Sequence, residues 1–458
     1  VMTVLREGLR TPGGLVCDAV LPAATGRWPV LAIRTPYGRS RHLAEAHGWA
    51  RRGMAAVVQD VRGRHESPGE WRPYAHEHHD GPLFAAWLRD QPWCDGRVIA
   101  YGSSYAAHCA LHMDADAIVA AVPALGPAET AREATGVPRL YSPVWWWSTY
   151  GACRTERPGL LDTRLAHDPL ALHEPPARIP ARLGLDLPGL EEAWRAPREP
   201  AICGRVPLLS LAGLYDPFLD AAVGLWRGWS GPAELVAGPW QHDLGLIHRE
   251  RNGDRPLLHA EKVTRFVTRW VDRVLAGEEP SGATLAVEST RDWIGSLGGD
   301  ALEVPLKGEG RFEADPADPF PSAMGPVDVS RPRADAVVAV SEPYEGVAAG
   351  RPRVTFQGHF PGHIQGRIQG HWVARLSEAL PDGRAVQLGH AVGETTDLTL
   401  PTIVHRFAPG SRLRVEIAAH HFPLHVRHPH TDDDPLTATT LRPSVREVAG
   451  VRLTLETP

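Results

Sequence analysis

Along roughly the first 128 residues, short runs of apolar and β-branched residues alternate with stretches whose apolar positions recur at helical spacing. The runs follow one another as "WPVLAIRTPY", "HLAEAHGWARRG", "AAVVQDVRG", "GPLFAAWLRDQ", "RVIAYGSSY" and "AIVAAVPALG". That alternation predicts βαβ units and a mostly parallel sheet. It resumes after residue 205 with "VPLLSLAGLYD" and "AELVAGPWQHD". A helix follows, in which Val263, Phe266, Val267, Trp270, Val271 and Val274 recur at i, i+3, i+4 spacing.

Two segments break the pattern. Residues 129–201 lack strand alternation, are rich in Pro, Arg and Leu, and contain "YSPVWWWSTYG", which predicts a helical cap inserted into the α/β domain. From residue 296 the runs "RVTFQGHF", "GHWVARLSEAL", "RAVQLGHAVG", the alternation from Leu398 to Phe407, "SRLRVEIAAHHF" and "GVRLTLET" are separated by Gly and Pro turns. They predict an antiparallel β-sandwich of the jelly-roll kind. The expected division is an α/β domain of residues 1–128 and 202–295, a cap of residues 129–201 and a sandwich of residues 296–458.

Composition narrows the partners more than the fold. The chain has 458 residues, 43% apolar and 22% charged, enough for two or three domains with real cores. Its net charge is −6, and its 48 basic residues are spread among 54 acidic ones, so no basic stripe points to nucleic acid or an anionic membrane. The cysteines Cys17, Cys94, Cys109, Cys153 and Cys203 are widely spaced and include no C-x-x-C pair, which argues against a disulfide framework or a zinc ribbon. The stretch "VMTVLREGLRTPGGLV" has no apolar h-region, and no run of 18 apolar residues occurs elsewhere. Neither a signal peptide nor a membrane span is visible, and a cytoplasmic protein is expected.

The run "IAYGSSYAAH" holds two adjacent serines where a strand gives way to a helix. Gly102 and Ser104 match the nucleophile-elbow pattern G-x-S-x-G, but Ala106 stands in place of the closing glycine. Serine attack on an ester or amide needs a base, an acid that orients the base, and donors for the oxyanion. On an α/β-hydrolase sheet the first three appear in the order Ser, Asp or Glu, His, at the carboxyl ends of strands. Ser104, Asp216 at the end of "VPLLSLAGLYD" and His242 just after "AELVAGPWQ" supply that order. Singly, each reads as a turn, cap or loop residue; in this order, in this alternation, they read as nucleophile, orienting acid and base.

With these residues in place the chain resembles a family. "IRTPYGR", "VVQDVRGRHESPGEW", "WLRDQPWCDGRVIAYGSSY", "LAGLYDPF" and "GPWQHD" follow one another as in the cocaine-esterase-like (CocE/NonD) hydrolases, relatives of X-Pro dipeptidyl-peptidases and α-amino-acid ester hydrolases. "LPDGRAVQLGHAV", "FAPGSRLRVEIAAHHFP" and "RHPHTD" look like that family's C-terminal jelly roll. The resemblance implies an α/β-hydrolase domain with an inserted helical cap, followed by a jelly-roll β-sandwich. It implies a nucleophile at Ser104 with Ser103 pointing elsewhere, an Asp216–His242 pair, and an oxyanion hole made by the Tyr37 hydroxyl and the backbone N–H of Tyr105. Ala107 stands where the family has glycine, and its methyl group is expected to tilt the following helix slightly. The family's D-T-D run falls on Gln369, Gly370 and His371, and its R-N-x-N-T segment on Arg427 to Thr431, so domain docking is expected to differ here. Trp145, Trp146 and Trp147 are expected partly as cap core and partly as walls of an acyl or aromatic pocket.

Two histidine-rich stretches invite a metal. In "YAHEHHDG" an H-E-x-x-H zinc helix needs histidine where Asp80 stands, and we expect a solvated helix start with Asp80 near its N-terminus. "AAHHFPLHVRHPHTDDD" carries His420, His421, His425, His428 and His430, with Pro429 weakening a strand. A metal site or pH-sensitive surface stays open there, and a solvent-exposed edge or loop is the expectation. No metal ligand is assigned, and no cofactor is expected, since no Walker or dinucleotide fingerprint follows a strand. The expected activity is serine hydrolysis of a small-molecule ester or amide. Acyl transfer by the same triad stays open, as does a non-catalytic ligand-binding role for the sandwich. No nucleic-acid or membrane partner is expected, and the resemblance leaves room for a homo-oligomer.

Overall fold

The computed structural model describes residues 2–244, 261–361 and 370–458. Its first sheet has ten strands: β1 (Val4–Arg10), β2 (Val16–Leu21), β3 (Trp28–Thr35), β4 (Ala55–Asp60), β5 (Cys94–Ser103), β6 (Ala117–Ala121), β7 (Leu208–Gly213), β8 (Ala233–Gly238), β9 (Gly282–Ala286) and β10 (Trp293–Ile294). They lie in the order β1-β2-β4-β3-β5-β6-β7-β8-β9-β10, parallel from β4 to β9 and antiparallel at both edges. The central strands are buried on both faces, as a helix-covered parallel sheet requires. Val30, Ala32, Val98 and Ala100 pack toward helices α2 (Glu77–Arg89) and α3 (Tyr105–Leu111). The intervening Leu31, Ile33 and Ile99 pack on the other side, against α1 (Leu43–Arg51) and the helix Val263–Leu275.

The strand order reverses around β3. The chain crosses from β3 outward to β4 and then back past β3 to β5, which opens a crevice at the carboxyl ends of β3 and β5. No helix among the described residues is long and apolar enough to cross a membrane.

Between β6 and β7 the chain forms short helices, among them Tyr141–Trp146, Leu160–His167 and Leu190–Arg195. Their core contains Leu140, Val144, Trp147, Leu161, Ile179, Leu190 and Trp194, and it is completed by Phe422, Val426 and Leu436 from far along the chain. Backbone bonds join the same two segments: Leu140 and Tyr141 N–H donate to the Leu424 and Pro423 carbonyls at 2.8 and 3.1 Å, and Val426 N–H donates to Pro138 at 2.9 Å. An insert too short to bury its own apolar side chains thus borrows part of the neighbouring domain.

After Ile294 the chain leaves the first sheet, and from Asp300 on it pairs in antiparallel strands. Strands Ala385–Gly393, Trp372–Ala379, Arg412–Ala418 and Val337–Pro343 form one layer; Ser444–Thr457, Arg353–His359 and Asp397–Thr399 form the other; Asp300–Lys307 bonds to both. Between them lie Val354, Phe356, Trp372, Leu376, Leu413, Val415 and Leu453, the core of a β-sandwich. Where it meets the first domain, Asp220 accepts from the Thr402 N–H and hydroxyl at 2.9 and 2.8 Å, and Ala349 and Val404 pack on Leu219 and Ala222.

Two expectations are corrected. His420, His421, His425 and His430 are buried, not solvent-exposed, because the cap covers the loop that carries them. The Glu77 end of α2 is not a solvated helix start: Glu77 and Asp80 are buried, while His78 and His79 are exposed. Asp80 accepts two bonds from Arg62, at 3.0 and 2.6 Å, which supply the partners that burial of a carboxylate demands. Of the D-T-D positions, Gln369 lies outside the described residues, and His371 is buried with its carbonyl bonded to Arg446.

Candidate active site

Ser104 sits between the last residue of β5 and the first of α3 with φ 59° and ψ −121°. A non-glycine residue held at positive φ costs about 1–3 kcal/mol and persists only where its surroundings fix it. Here the Ser104 N–H donates to Ala121 at 2.9 Å, and its carbonyl accepts from Ala107 and Ala124 at 3.0 and 3.3 Å. The turn brings α3 so close to β5 that a Cβ on Gly102 would lie 2.0 Å from the Ala106 carbonyl oxygen. Gly102 therefore takes the close approach, and the Ala107 methyl is wholly buried in the core behind the sheet. Ser103 is the final β5 residue, paired opposite Ala121.

The other two residues of the expected triad come from the ends of β7 and β8. Those ends also approach closely: a Cβ on Gly213 would meet the Trp240 carbonyl at 2.4 Å, and Tyr215 N–H donates to that carbonyl at 3.2 Å. Asp216 and His242 are thereby set side by side. His242 Nδ1 lies 2.8 Å from Asp216 Oδ1, and His242 Nε2 lies 3.0 Å from Ser104 Oγ. With its Nδ1–H donated to Asp216, the imidazole has Nε2 left to accept the serine proton. Burial works against a charged His242, yet the hydrogen bond and charge of Asp216 outweigh it and hold its pKa above the ordinary 6.5. Phe218 meets the imidazole edge-on at 5.2 Å.

Tyr37 follows the end of β3 across the crevice. Its hydroxyl donates to Ser104 Oγ at 3.4 Å, and the Trp146 side chain and Tyr105 backbone also act on it. Burial, the largest influence, pushes this phenol above its ordinary value, so it stays protonated and able to donate. Tyr105, the first residue of α3, buries its side chain completely. Its hydroxyl donates to Glu77 Oε1 at 2.8 Å and accepts the Tyr74 N–H at 2.7 Å. That leaves the Tyr105 backbone N–H as the group at the crevice.

The three tryptophans divide. Trp147 is buried in the cap core. Trp146 lies parallel to Tyr105 at 6.0 Å and reaches the Tyr37 hydroxyl. Trp145 is 37% exposed and edge-on to Tyr150, whose ring in turn meets Tyr37 at 4.9 Å.

Sequence reasoning missed the residues that hold Tyr37 and Tyr105. Arg64 is buried, donates to the Pro36 carbonyl at 2.8 Å and to the Tyr150 carbonyl at 3.1 Å, also bonds the Cys153 carbonyl, and stacks over Trp71 at 5.4 Å. It ties the residue before Tyr37 to the cap. Glu77 anchors the Tyr105 phenol from the opposite side. The signal available was the density of charge in "DVRGRHESPGEW" and "YAHEHHDG", beside strands otherwise apolar. Three further histidines, His390, His421 and His425, offer nitrogens within 4.8 Å of one another under the cap, the metal-type grouping found among the described residues.

A sequence profile of the X-Pro dipeptidyl-peptidase family (S15) matches residues 14–243, and one of the X-Pro dipeptidyl-peptidase C-terminal non-catalytic domain matches residues 353–454. The chain is 24% identical to the cocaine esterase of Rhodococcus sp. (strain MB1 Bresler) over 551 aligned positions, covering 94% of this chain and 92% of the esterase. Among solved structures, an aminopeptidase from a marine sediment Thaumarchaeota archaeon superposes with a TM-score of 0.80 at 17% identity, covering 99% of this chain and 96% of that one. An α-amino-acid ester hydrolase superposes with a TM-score of 0.76 at 19% identity, covering 100% and 97%. These superpositions establish the fold: an α/β hydrolase followed by a β-sandwich.

Proposed function

The chain belongs to the X-Pro dipeptidyl-peptidase (S15) family and is a serine hydrolase, and from that premise we propose that it cleaves small carboxylic esters or amides through an acyl-enzyme on Ser104. One observation carries this reading: Ser104 Oγ, at a strained strand-to-helix turn, stands 3.0 Å from His242 Nε2, whose other nitrogen stands 2.8 Å from buried Asp216.

In the proposed cycle His242 Nε2 takes the Ser104 proton as Oγ bonds to the substrate carbonyl carbon. Asp216 holds the imidazole in the required tautomer and favours its charged form. The oxyanion forms between the Tyr37 hydroxyl and the Tyr105 N–H. His242 then returns the proton to the leaving alcohol or amine as the carbonyl reforms. Water repeats the sequence on the acyl-enzyme and releases the acid. The aromatic side chains of Trp145, Trp146, Tyr150 and Phe218 near these groups support an apolar or aromatic acyl or alcohol portion in the substrate.

The test is Ser104→Ala against a panel of aryl and alkyl esters, amides and dipeptidyl substrates, with mass spectrometry of the trapped acyl-enzyme. Activity should fall by about 10⁴-fold or more, because triad members act as a unit. Labelling by a fluorophosphonate should vanish with it. Labelling that persists in the variant, or an unchanged rate, would place the nucleophile elsewhere.

A further inference from the structure

Three imidazoles converge away from the Ser104 crevice, in the seam where the cap covers the sandwich. His390 comes from the strand Ala385–Gly393, and His421 and His425 come from the turn that follows the strand Arg412–Ala418. His425 N–H donates to the His421 carbonyl at 2.9 Å, closing a helix-like turn that sets the two side chains on one side. Their Nδ1 atoms are 3.2 Å apart. A tetrahedral zinc ion with nitrogens at 2.0–2.1 Å has nitrogen–nitrogen edges of about 3.3–3.4 Å. The His390 ring lies 4.0 Å from that of His421 and 5.6 Å from that of His425. One nitrogen of each ring lies within 4.8 Å of the others, so closing the triangle needs a ring shift of no more than about 1.5 Å.

The surroundings are those of a metal-bound histidine. His425 Nε2–H donates to Glu133 Oε1 at 2.8 Å, and Glu133 is gripped by Arg139 through bonds of 2.8 and 3.0 Å. A carboxylate on the far nitrogen fixes the tautomer of His425 and leaves the Nδ1 lone pair facing its neighbours. The nearby cation Arg375 is engaged by Glu416 at 2.7 Å.

We propose that His390, His421 and His425 form a site for a divalent transition-metal ion of the zinc class, with water as the fourth ligand. Without metal, His421 Nδ1–H donates to His425 Nδ1, and His421 Nε2 accepts from the Ala323 N–H at 3.4 Å. Metal binding moves the His421 proton to Nε2 and gives up that long contact; no net proton is released. The three ligands belong to the sandwich and Glu133 to the cap, so the ion acts as a clamp between them. The clamp reaches the hydrolytic crevice through Arg139, whose guanidinium lies 5.8 Å from the Phe218 ring beside His242.

The experiment uses the full chain, stripped with a chelator and titrated with Co²⁺ and Zn²⁺. One metal per chain by elemental analysis, and intense visible Co²⁺ bands of a four-coordinate ion, are expected. Zn²⁺ at a hundredfold excess over Kd should raise Tm by about 3 °C for a chain this long. His390→Ala and His421→Ala should lose stoichiometric binding, and Glu133→Gln should weaken it about 10–100-fold. His390→Gln serves where alanine disturbs the strand, with circular dichroism confirming the fold. Less than one equivalent bound by the unmodified chain, a six-coordinate Co²⁺ spectrum, or binding retained in both histidine variants would overturn the site.

Discussion

Replacing Tyr37 by phenylalanine removes a single oxygen from the crevice. The ring keeps its edge-on contact with Tyr150 at 4.9 Å. The lost hydroxyl makes a long bond to Ser104 Oγ, 3.4 Å in the resting enzyme, and is also met by the Trp146 side chain and the Tyr105 backbone. A bond that long has little ground-state value to lose, so the effect belongs in kcat and leaves KM nearly unchanged. Loss of one oxyanion donor costs about 2.7–4 kcal/mol, a factor of about 10²–10³ in kcat. The Tyr105 N–H survives in the variant, so the loss stops there and does not reach the level of a triad deletion. Stability should change by about 0.5–1.5 kcal/mol for one hydrogen bond. Spread over the unfolding entropy of 458 residues, that is a Tm shift of no more than about 2 °C. The assay is steady-state kcat and KM on a p-nitrophenyl ester, with thermal melting of the same preparation. A kcat within threefold of the parent enzyme, or a loss confined to KM, refutes the oxyanion role of Tyr37.

Further outcomes are expected. Because Asp216 holds the His242 pKa above 6.5 and the base must be neutral, kcat/KM should rise with pH through a value above 6.5. The stability that this pairing gives is fully present below the unfolded pKa and fades as pH rises through the folded one, which a Tm–pH series reads. Asp216→Asn should lower kcat by about 10⁴-fold and move the remaining acid limb downward, and an unmoved limb would detach the shift from Asp216. Tyr105→Phe keeps the backbone donor but strands Glu77 Oε1, so we expect a loss of about 1–3 kcal/mol in stability with a far smaller fall in kcat than Tyr37→Phe; equal falls would place the Tyr105 side chain in the chemistry. Trp147→Ala should cost about 3–5 kcal/mol by opening the cap core, whereas Trp145→Ala, at a 37% exposed position, should leave Tm in place and raise KM for aryl esters. Melting curves and KM values on the two variants separate these roles.

Much of this arrangement was legible because the side chains proposed for catalysis stand directly after apolar runs. Ser104, Asp216 and His242 each follow a strand end, and position along the chain is position along the sheet in a parallel α/β layer. The histidine loop was misread for the opposite reason. His420 to His430 carry no hydrophobic period, so polarity pointed to solvent. Their burial depends on Leu140, Trp147 and Trp194 arriving from an insert more than 200 residues earlier. Glu77 and Asp80 were misread likewise: a charged helix start ordinarily faces water, and nothing local reveals that Tyr105 and Arg62 lie waiting as partners. Contacts distant in sequence leave no periodic trace.

The position of Arg64 has a consequence for how the domains depend on one another. It donates to Pro36, immediately before Tyr37, and to carbonyls of Tyr150 and Cys153 in the cap. A buried guanidinium left without those cap carbonyls would be strongly penalised, so Arg64 cannot hold the Tyr37 turn unless the cap is docked. The cap in turn lacks a closed core without Phe422, Val426 and Leu436 from the sandwich. Tyr37, the proposed oxyanion donor, is therefore fixed by a chain of contacts that begins in the C-terminal domain. A variant truncated before the sandwich is expected to keep the ten-stranded sheet and the elbow strain at Ser104, yet lose the placement of Tyr37. In this architecture the sandwich bears on the proposed chemistry through what it lets the cap hold still.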